Sequence, residues 1–123
     1  MGRAARPRDM VRKTYIPDRG DAVWISFDPS LGREQAKRRP AVVLTPRSYN
    51  ERTGLALACP ITIHTKGYPF EVGLRERKIK GVVLCDHVKS MDWRMRRTIF
   101  IQKISPVCLT AIQNKIVRLF TEE

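Results

Sequence analysis

The chain has 123 residues and a formal net charge of +12, from 24 Lys and Arg against 12 Asp and Glu. With 42% apolar and 29% charged residues it reads as one globular domain rather than a disordered chain, and that length holds a core without covalent staples. A pI of about 10.4 attracts polyanions, with nucleic acid first and a membrane surface or an acidic protein next.

Residues 1–14 (MGRAARPRDMVRKT) are basic but lack the apolar stretch of a signal peptide. They read as a flexible tail, and residues 15–123 as a single domain. Gly20-Asp21 signals a turn. Residues 22–27 then alternate, with Val23, Ile25 and Phe27 on one face, which predicts the first strand. Asp28-Pro29-Ser30 breaks it, and residues 28–39 form a polar, charged loop. The valine-rich run 41–45 predicts a buried strand closed by Pro46, and 50–54 a turn or short loop. Leu55, Leu57, Cys59 and Ile61 alternate as a third strand, in which Pro60 argues for an edge or a bulge.

A second polar loop, 63–70, contains Lys66-Gly67-Tyr68-Pro69. Short strands at 70–74 and 82–85 flank the charged stretch 75–80, which turns a hairpin in solvent, and 99–104 is the last strand. Ser105-Pro106 then supplies an N-cap and a first-turn proline. Leu109, Ile112, Ile116 and Leu119 follow at helical spacing, with Lys115 and Arg118 toward the C-terminus, where the helix dipole favours cations. Many short strands with one terminal helix make the chain mainly β (α+β), a small barrel.

Cys59, Cys85 and Cys108 are odd in number and widely spaced. This suits thiols acting as small apolar side chains in a reducing cytoplasm rather than a disulfide framework. His64 and His87 lack metal-ligand spacing, so neither a metal site nor a cofactor is expected. No apolar run reaches the length of a bilayer span. The chain has no phosphate-binding Gly-Lys-Ser loop, no Gly-x-Ser-x-Gly elbow and no His-Glu-x-x-His. A two-histidine nuclease would need both imidazoles at one phosphate. His64 and His87 follow different strands, and the sequence leaves their convergence open.

The strongest local signal is GREQAKRRPAVVLTP, residues 32–46, with Arg33, Lys37, Arg38 and Arg39 set against a proline and an apolar strand. A guanidinium offers a planar fork of donors that matches phosphate oxygens. Glu34 and Gln35 add groups that phosphate binding does not need but base edges can use. Such a mixture suits single-stranded nucleic acid. Phe27 and Tyr68, beside the polar loops, are candidates for stacking on bases, whereas Trp24 and Trp93 read as core or dimer-face residues.

In this context a set of ordered segments resembles the MazF/PemK family of toxin–antitoxin endoribonucleases. The match runs from Tyr15 to about Arg97. It comprises Tyr15-Ile-Pro-Asp-Arg-Gly-Asp, Phe27-Asp28-Pro29, Gly32-Arg-Glu-Gln, Arg39-Pro40-Ala-Val-Val-Leu, Cys59-Pro60-Ile61-Thr62, Lys66-Gly-Tyr-Pro-Phe-Glu71, Gly81-Val-Val-Leu-Cys-Asp86 and Val88-Lys89-Ser90. The resemblance implies an SH3-like (CcdB/MazF-type) barrel, a homodimer and a toxin opposed by an antitoxin; the charge of +12 concentrated beside Arg39 predicts an acidic segment on that antitoxin. The resemblance also implies metal-independent cleavage of single-stranded RNA by 2′-hydroxyl attack, leaving a 2′,3′-cyclic phosphate and a 5′-hydroxyl. By the same resemblance Arg39 and Thr62 sit at the scissile phosphate. Glu34 and His87 are candidate acid–base groups. Phe27, Asp28, Arg33, Gln35, Lys37, Arg38, Lys66, Tyr68, Asp86 and Lys89 are candidate RNA contacts. His87 stands where many members carry Gln. Two other classes are weighed: a non-catalytic nucleic-acid-binding barrel, and a CcdB-like gyrase-targeting toxin, whose C-terminal Trp-Gly-Ile does not occur in a chain ending Leu119-Phe-Thr-Glu-Glu.

Overall fold

The computed structural model describes residues 15–26 and 38–122. Seven strands follow one another: β1 (Asp21–Ser26), β2 (Arg38–Val43), β3 (Leu55–Thr62), β4 (Glu71–Arg75), β5 (Lys80–Leu84), β6 (Lys89–Asp92) and β7 (Ile99–Lys103). The described residues also hold two helices, α1 (Arg47–Thr53) between β2 and β3, and α2 (Pro106–Thr121) after β7. All pairings are antiparallel, in the order β4-β5-β3-β2-β1-β7, with β6 also on β3. This is a half-barrel of the expected mainly β class. Among the described residues no helix is long and apolar enough to cross a membrane.

The sheet buries both faces. One face packs Val42, Cys59, Ile61, Leu74, Val83, Cys85 and Ile104 against Ile112 of α2. The other packs Val23, Ala41, Val43, Ala56, Ala58 and Met91 around Trp93, which is 2% exposed. The alternation read in β3 therefore divides one strand between two cores, Cys59 and Ile61 on one face, Ala56 and Ala58 on the other. Cys59 and Cys85 are free and buried. Burial pushes their thiols up to about 12 and about 11, so they behave as small apolar groups.

α2 begins as its sequence dictates: Ser105 caps it, accepting the Cys108 amide at 3.2 Å, with Pro106 in the first turn. Ile112 is buried, Leu109 and Ile116 pack beside it, and Leu119 is 37% exposed at the end of the stripe.

Three expectations are corrected. The loop expected around 50–54 is largely helical, as α1 covers Arg47–Thr53. RSYNERT has no apolar face to announce a helix. Instead Asn50, fully buried, holds α1 by donating to the carbonyls of Pro17 (2.8 Å) and Thr45 (2.9 Å) and accepting the Thr45 hydroxyl (2.6 Å). Its own carbonyl accepts Trp93 Nε1 at 2.8 Å. Gly54 closes the helix with a left-handed φ of 75° that suits glycine. Second, β2 starts at Arg38 rather than at 41, because β1 pairs Ser26 with Arg38 and Ile25 with Arg39. Arg38 and Arg39 thus belong to a strand and not to the preceding loop. Third, Lys89–Asp92 is a strand the sequence did not announce, paired with Leu55–Ala58. Phe27, the expected end of β1, lies outside the described residues.

Around the start of β1 the segment Tyr15 to Asp21 closes into a clasp. Asp21 is 3% exposed and accepts the Tyr15 hydroxyl and the Asp18 amide, while Lys103 Nζ lies 2.7 Å from its other oxygen. Asp18 accepts the amides of Arg19 and Arg47, each at 2.9 Å, and pairs with Lys103 at 3.4 Å. Burial alone would raise the Asp18 carboxyl. The two amides and the Lys103 ammonium outweigh it and hold the group below the ordinary carboxylate value.

Candidate nucleic-acid interface and active site

Two prolines shape the site. Pro60 lies where β3 changes partner on one side, from β6 (through Ala58) to β5 (from Ile61). The sequence anticipated an edge or a bulge here; instead β3 is a central strand in unbroken register with β2, and the proline is tolerated where the other side passes from one partner strand to the next. On its other side the β2–β3 ladder ends at Ala41↔Pro60, with Pro40 next along β2. Neither proline has an N–H to extend the ladder. The register Val43↔Ala58, Val42↔Cys59, Ala41↔Pro60, carried two residues further, sets Arg39 opposite Thr62. Both then share the face of Ala41 and Ala58, since alternate residues of a strand share a side.

A groove of about 790 Å³ opens there, floored by Ala41, Ala58, Pro60 and Met91 at the end of the second core. Arg39 and Thr62 line it, together with His64, Lys80, His87, Lys89, Arg38 and Arg96. Of the described carboxylates, none lines it. Arg38 stacks over Trp24, 4.6 Å from the ring centroid, which holds the guanidinium against a groove wall. Trp24 is therefore half-buried groove lining, whereas Trp93 is core as expected.

Thr62 is held from three sides. It pairs with Val82 across β5. Its Oγ1 accepts the His64 amide at 3.1 Å, which leaves the hydroxyl proton free to be donated. Behind it, Gly81 adopts a φ of 150°, and a Cβ there would lie 2.5 Å from the Thr62 carbonyl oxygen. The glycine is thus required by close backbone approach. His87 follows β5 on a turn closed by its amide on the Leu84 carbonyl at 3.1 Å, and its Nε2 lies 3.7 Å from Asp86.

The expected site residues divide four ways. Arg38, Arg39, Thr62, His87 and Lys89 meet in the groove. Asp86 stands beside it through His87. Lys66 and Tyr68 are exposed on the 63–70 loop and do not line it. That loop is braced by Glu71, which accepts the Lys66 amide (3.0 Å), the Thr65 hydroxyl (2.8 Å) and the Gly67 amide (3.1 Å). The same bonds, the Lys66 amide foremost, lower the Glu71 carboxyl below its ordinary value. Phe27, Asp28, Arg33, Glu34, Gln35 and Lys37 lie outside the described residues. Sequence reasoning missed Lys80 and Arg96, each far from the other cations along the chain, and left His64 unassigned. The available signal for His64 was its place two residues after Thr62 in the sequence. Among the described residues no three His, Cys, Asp or Glu side chains are grouped to hold a metal ion.

A half-barrel with a cationic groove, an arginine and a threonine among its lining residues, and no lining carboxylate among the described residues defines a polyanion-handling protein. The chain belongs to the PemK-like, MazF-like toxin family of type II toxin–antitoxin systems, whose family model matches residues 18–120. It is 49% identical over 102 residues to the endoribonuclease toxin MazF of Escherichia coli (strain K12), covering 83% of this chain and 92% of the relative. It is 37% identical over 93 residues to the endoribonuclease toxin ChpB of the same organism, covering 71% and 78%. The fold matches MazF in a MazE–MazF crystal structure from Deinococcus radiodurans with a TM-score of 0.79 and 41% identity, over 89% of this chain and all of that one.

Proposed function

We propose that this protein is the toxin of a toxin–antitoxin pair and a sequence-specific, metal-independent endoribonuclease acting on single-stranded RNA, with residues 15–123 as its catalytic domain. The reading is supported above all by Arg39 and Thr62 both lining one basic groove. The 2′-hydroxyl attacks the adjacent phosphorus, and the phosphorane gathers negative charge on its non-bridging oxygens. Arg39 stays protonated in any ordinary environment, so it is a charge neutraliser rather than a base. A fixed donor of this kind is worth about 10²–10³ in rate. Thr62, its oxygen already accepting from His64, donates its proton to a phosphate oxygen and fixes the geometry. Arg38, Lys80, Lys89 and Arg96 attract the backbone on either side.

The protein works as a cytoplasmic homodimer, and its antitoxin places an acidic segment in this groove and excludes RNA. Curated relatives are named endoribonuclease toxins, and MazF of D. radiodurans crystallises with MazE, which supports both parts of the reading.

The test is Arg39→Ala on a mixed RNA pool in EDTA, with cut sites mapped by primer extension. Wild type is expected to cut at short sequences and leave cyclic phosphate ends, and the variant to lose about 10²–10³ in rate with unchanged thermal stability. Wild-type protein that bound RNA without cutting it would make this a binding module instead.

A further inference from the structure

Neutralising the phosphorane leaves two protons to be moved. The 2′-hydroxyl must lose one, and the departing 5′-oxygen must gain one. Arg39 and Thr62 can do neither efficiently, since one does not give up its proton and the other is a weak acid and a weak base. Glu34 lies outside the described residues. The groove contains two other groups able to do this work, the imidazoles of His64 and His87.

They arrive from separate connections. His64 lies just past β3, tied to Thr62 by its own amide. His87 lies on the β5–β6 turn, which Lys89 anchors opposite Ala58 of β3. Both thus flank the part of β3 that carries Pro60 and Thr62. Imidazole is the side chain that changes charge across the neutral range, so one ring can begin neutral and the other protonated.

We propose that His64 and His87 form the acid–base pair of the cleavage reaction, with His64 as general base and His87 as general acid; this deepens the endoribonuclease reading above and rests on it. The surroundings assign the roles. The groups around the rings are Arg38 and Arg39 from β2, Lys80 from β5, Lys89 from β6 and Arg96 from the turn before β7. Asp86 is the carboxylate within ion-pairing distance of His87, at 3.7 Å. Asp86 beside the ring suits His87 to deliver a proton, and that is the acid's role. His64 has no described carboxylate beside it in the groove, which leaves it the base's role.

In the step itself, His64 takes the 2′-hydroxyl proton as the O2′–P bond forms. The P–O5′ bond breaks, and His87 gives its proton to O5′. The products are the 2′,3′-cyclic phosphate and the 5′-hydroxyl. One proton is taken up and one released, and exchange with solvent resets both rings.

The experiment uses an RNA carrying the mapped cut site, in EDTA, with wild type, His64→Asn and His87→Asn across pH 5–9. Wild-type kcat/KM is expected to be bell-shaped. His64→Asn should lose the acid-side limb, because the base no longer has to deprotonate. His87→Asn should lose the alkaline-side limb, and each variant should fall by about 10²–10⁴. A 5′-bridging sulfur at the cut site, which leaves without a proton, should restore His87→Asn and not His64→Asn. Thermal unfolding, and binding of the same RNA with a 2′-deoxy residue at the cut site, should match wild type in both variants. Variants that keep the bell and change only KM or the cut sequence would overturn the proposal, making the rings base contacts. Failure of sulfur to restore His87→Asn would overturn its role as acid. Wild type that cut no RNA would remove the endoribonuclease reading itself.

Discussion

In the clasp, Asp21 is buried against the Lys103 ammonium, the Tyr15 hydroxyl and the Asp18 amide, and Asp18 in turn holds the Arg19 and Arg47 amides. In the groove, Arg38, Arg39, Lys80, Lys89 and Arg96 gather around an apolar floor that no described carboxylate lines. Both regions use charged residues at the rim of the same sheet. In the first, opposite charges satisfy one another and tie the Tyr15–Asp21 segment to α1 and β7. In the second, five cations line one concave site with no described carboxylate among its lining residues, and a site of that charge attracts a polyanion. Internally balanced charge builds the fold, and charge of one sign in a concave site recruits a ligand.

The contrast can be broken most severely beside the clasp. Asn50→Leu should destabilise the protein by about 3 kcal/mol, because it strips hydrogen bonds from the Pro17 and Thr45 carbonyls and the Thr45 hydroxyl in a buried site. Cleavage per folded molecule should stay at the wild-type rate. Urea denaturation checks the first part and an active-site-normalised assay the second. A rate loss without a shift in the unfolding midpoint would show that the two regions are not separable.

A smaller effect, of opposite kind, is expected from Lys89→Ala. RNA affinity should fall about equally for every sequence, and the slope of log affinity against log salt should shrink by about 0.7, the share of one single-strand phosphate contact. Thermal stability should hold or rise as repulsion is relieved. Titrations between 50 and 300 mM salt give the slope. An unchanged slope would place Lys89 off the RNA path.

The smallest effect concerns Asp18→Asn, which keeps an oxygen to accept the Arg19 and Arg47 amides but removes the charge facing Lys103. The folded-state carboxyl is held below its ordinary value. Its contribution is therefore present above the unfolded carboxyl's range, near pH 4, and is lost as pH falls through the lower folded value. The variant should be slightly less stable at pH 6–7 and should converge on wild type as the pH falls below about 4. Melting curves over pH 3–7 would show this, and curves that stay parallel would discount the charge.

The fold was legible where one residue type repeats at a fixed period. Val23 and Ile25, the valines of β2, and Leu57 to Ile61 announce strands, and Ser105-Pro106 announces α2. It was illegible where a segment owes its form to distant partners. α1 has a single buried residue, Asn50, whose hydrogen-bond partners include Pro17, 33 positions away. β6 is four residues with only Met91 buried, too short to show a period. The same division holds for the candidate site. Arg39, Thr62, His87 and Lys89 were reachable through resemblance. Their meeting depends on a strand register, and no local pattern carries the contributions of Lys80 and Arg96.

The pair Pro40 and Pro60 has a consequence for how the groove can be blocked. Along this seam the backbone offers carbonyls but no N–H at either position, so a strand laid into it gains little from β-augmentation. At these two positions an incoming chain finds no N–H donor. The missing donors shift recognition toward the cations that line the groove, and so toward anionic occupants.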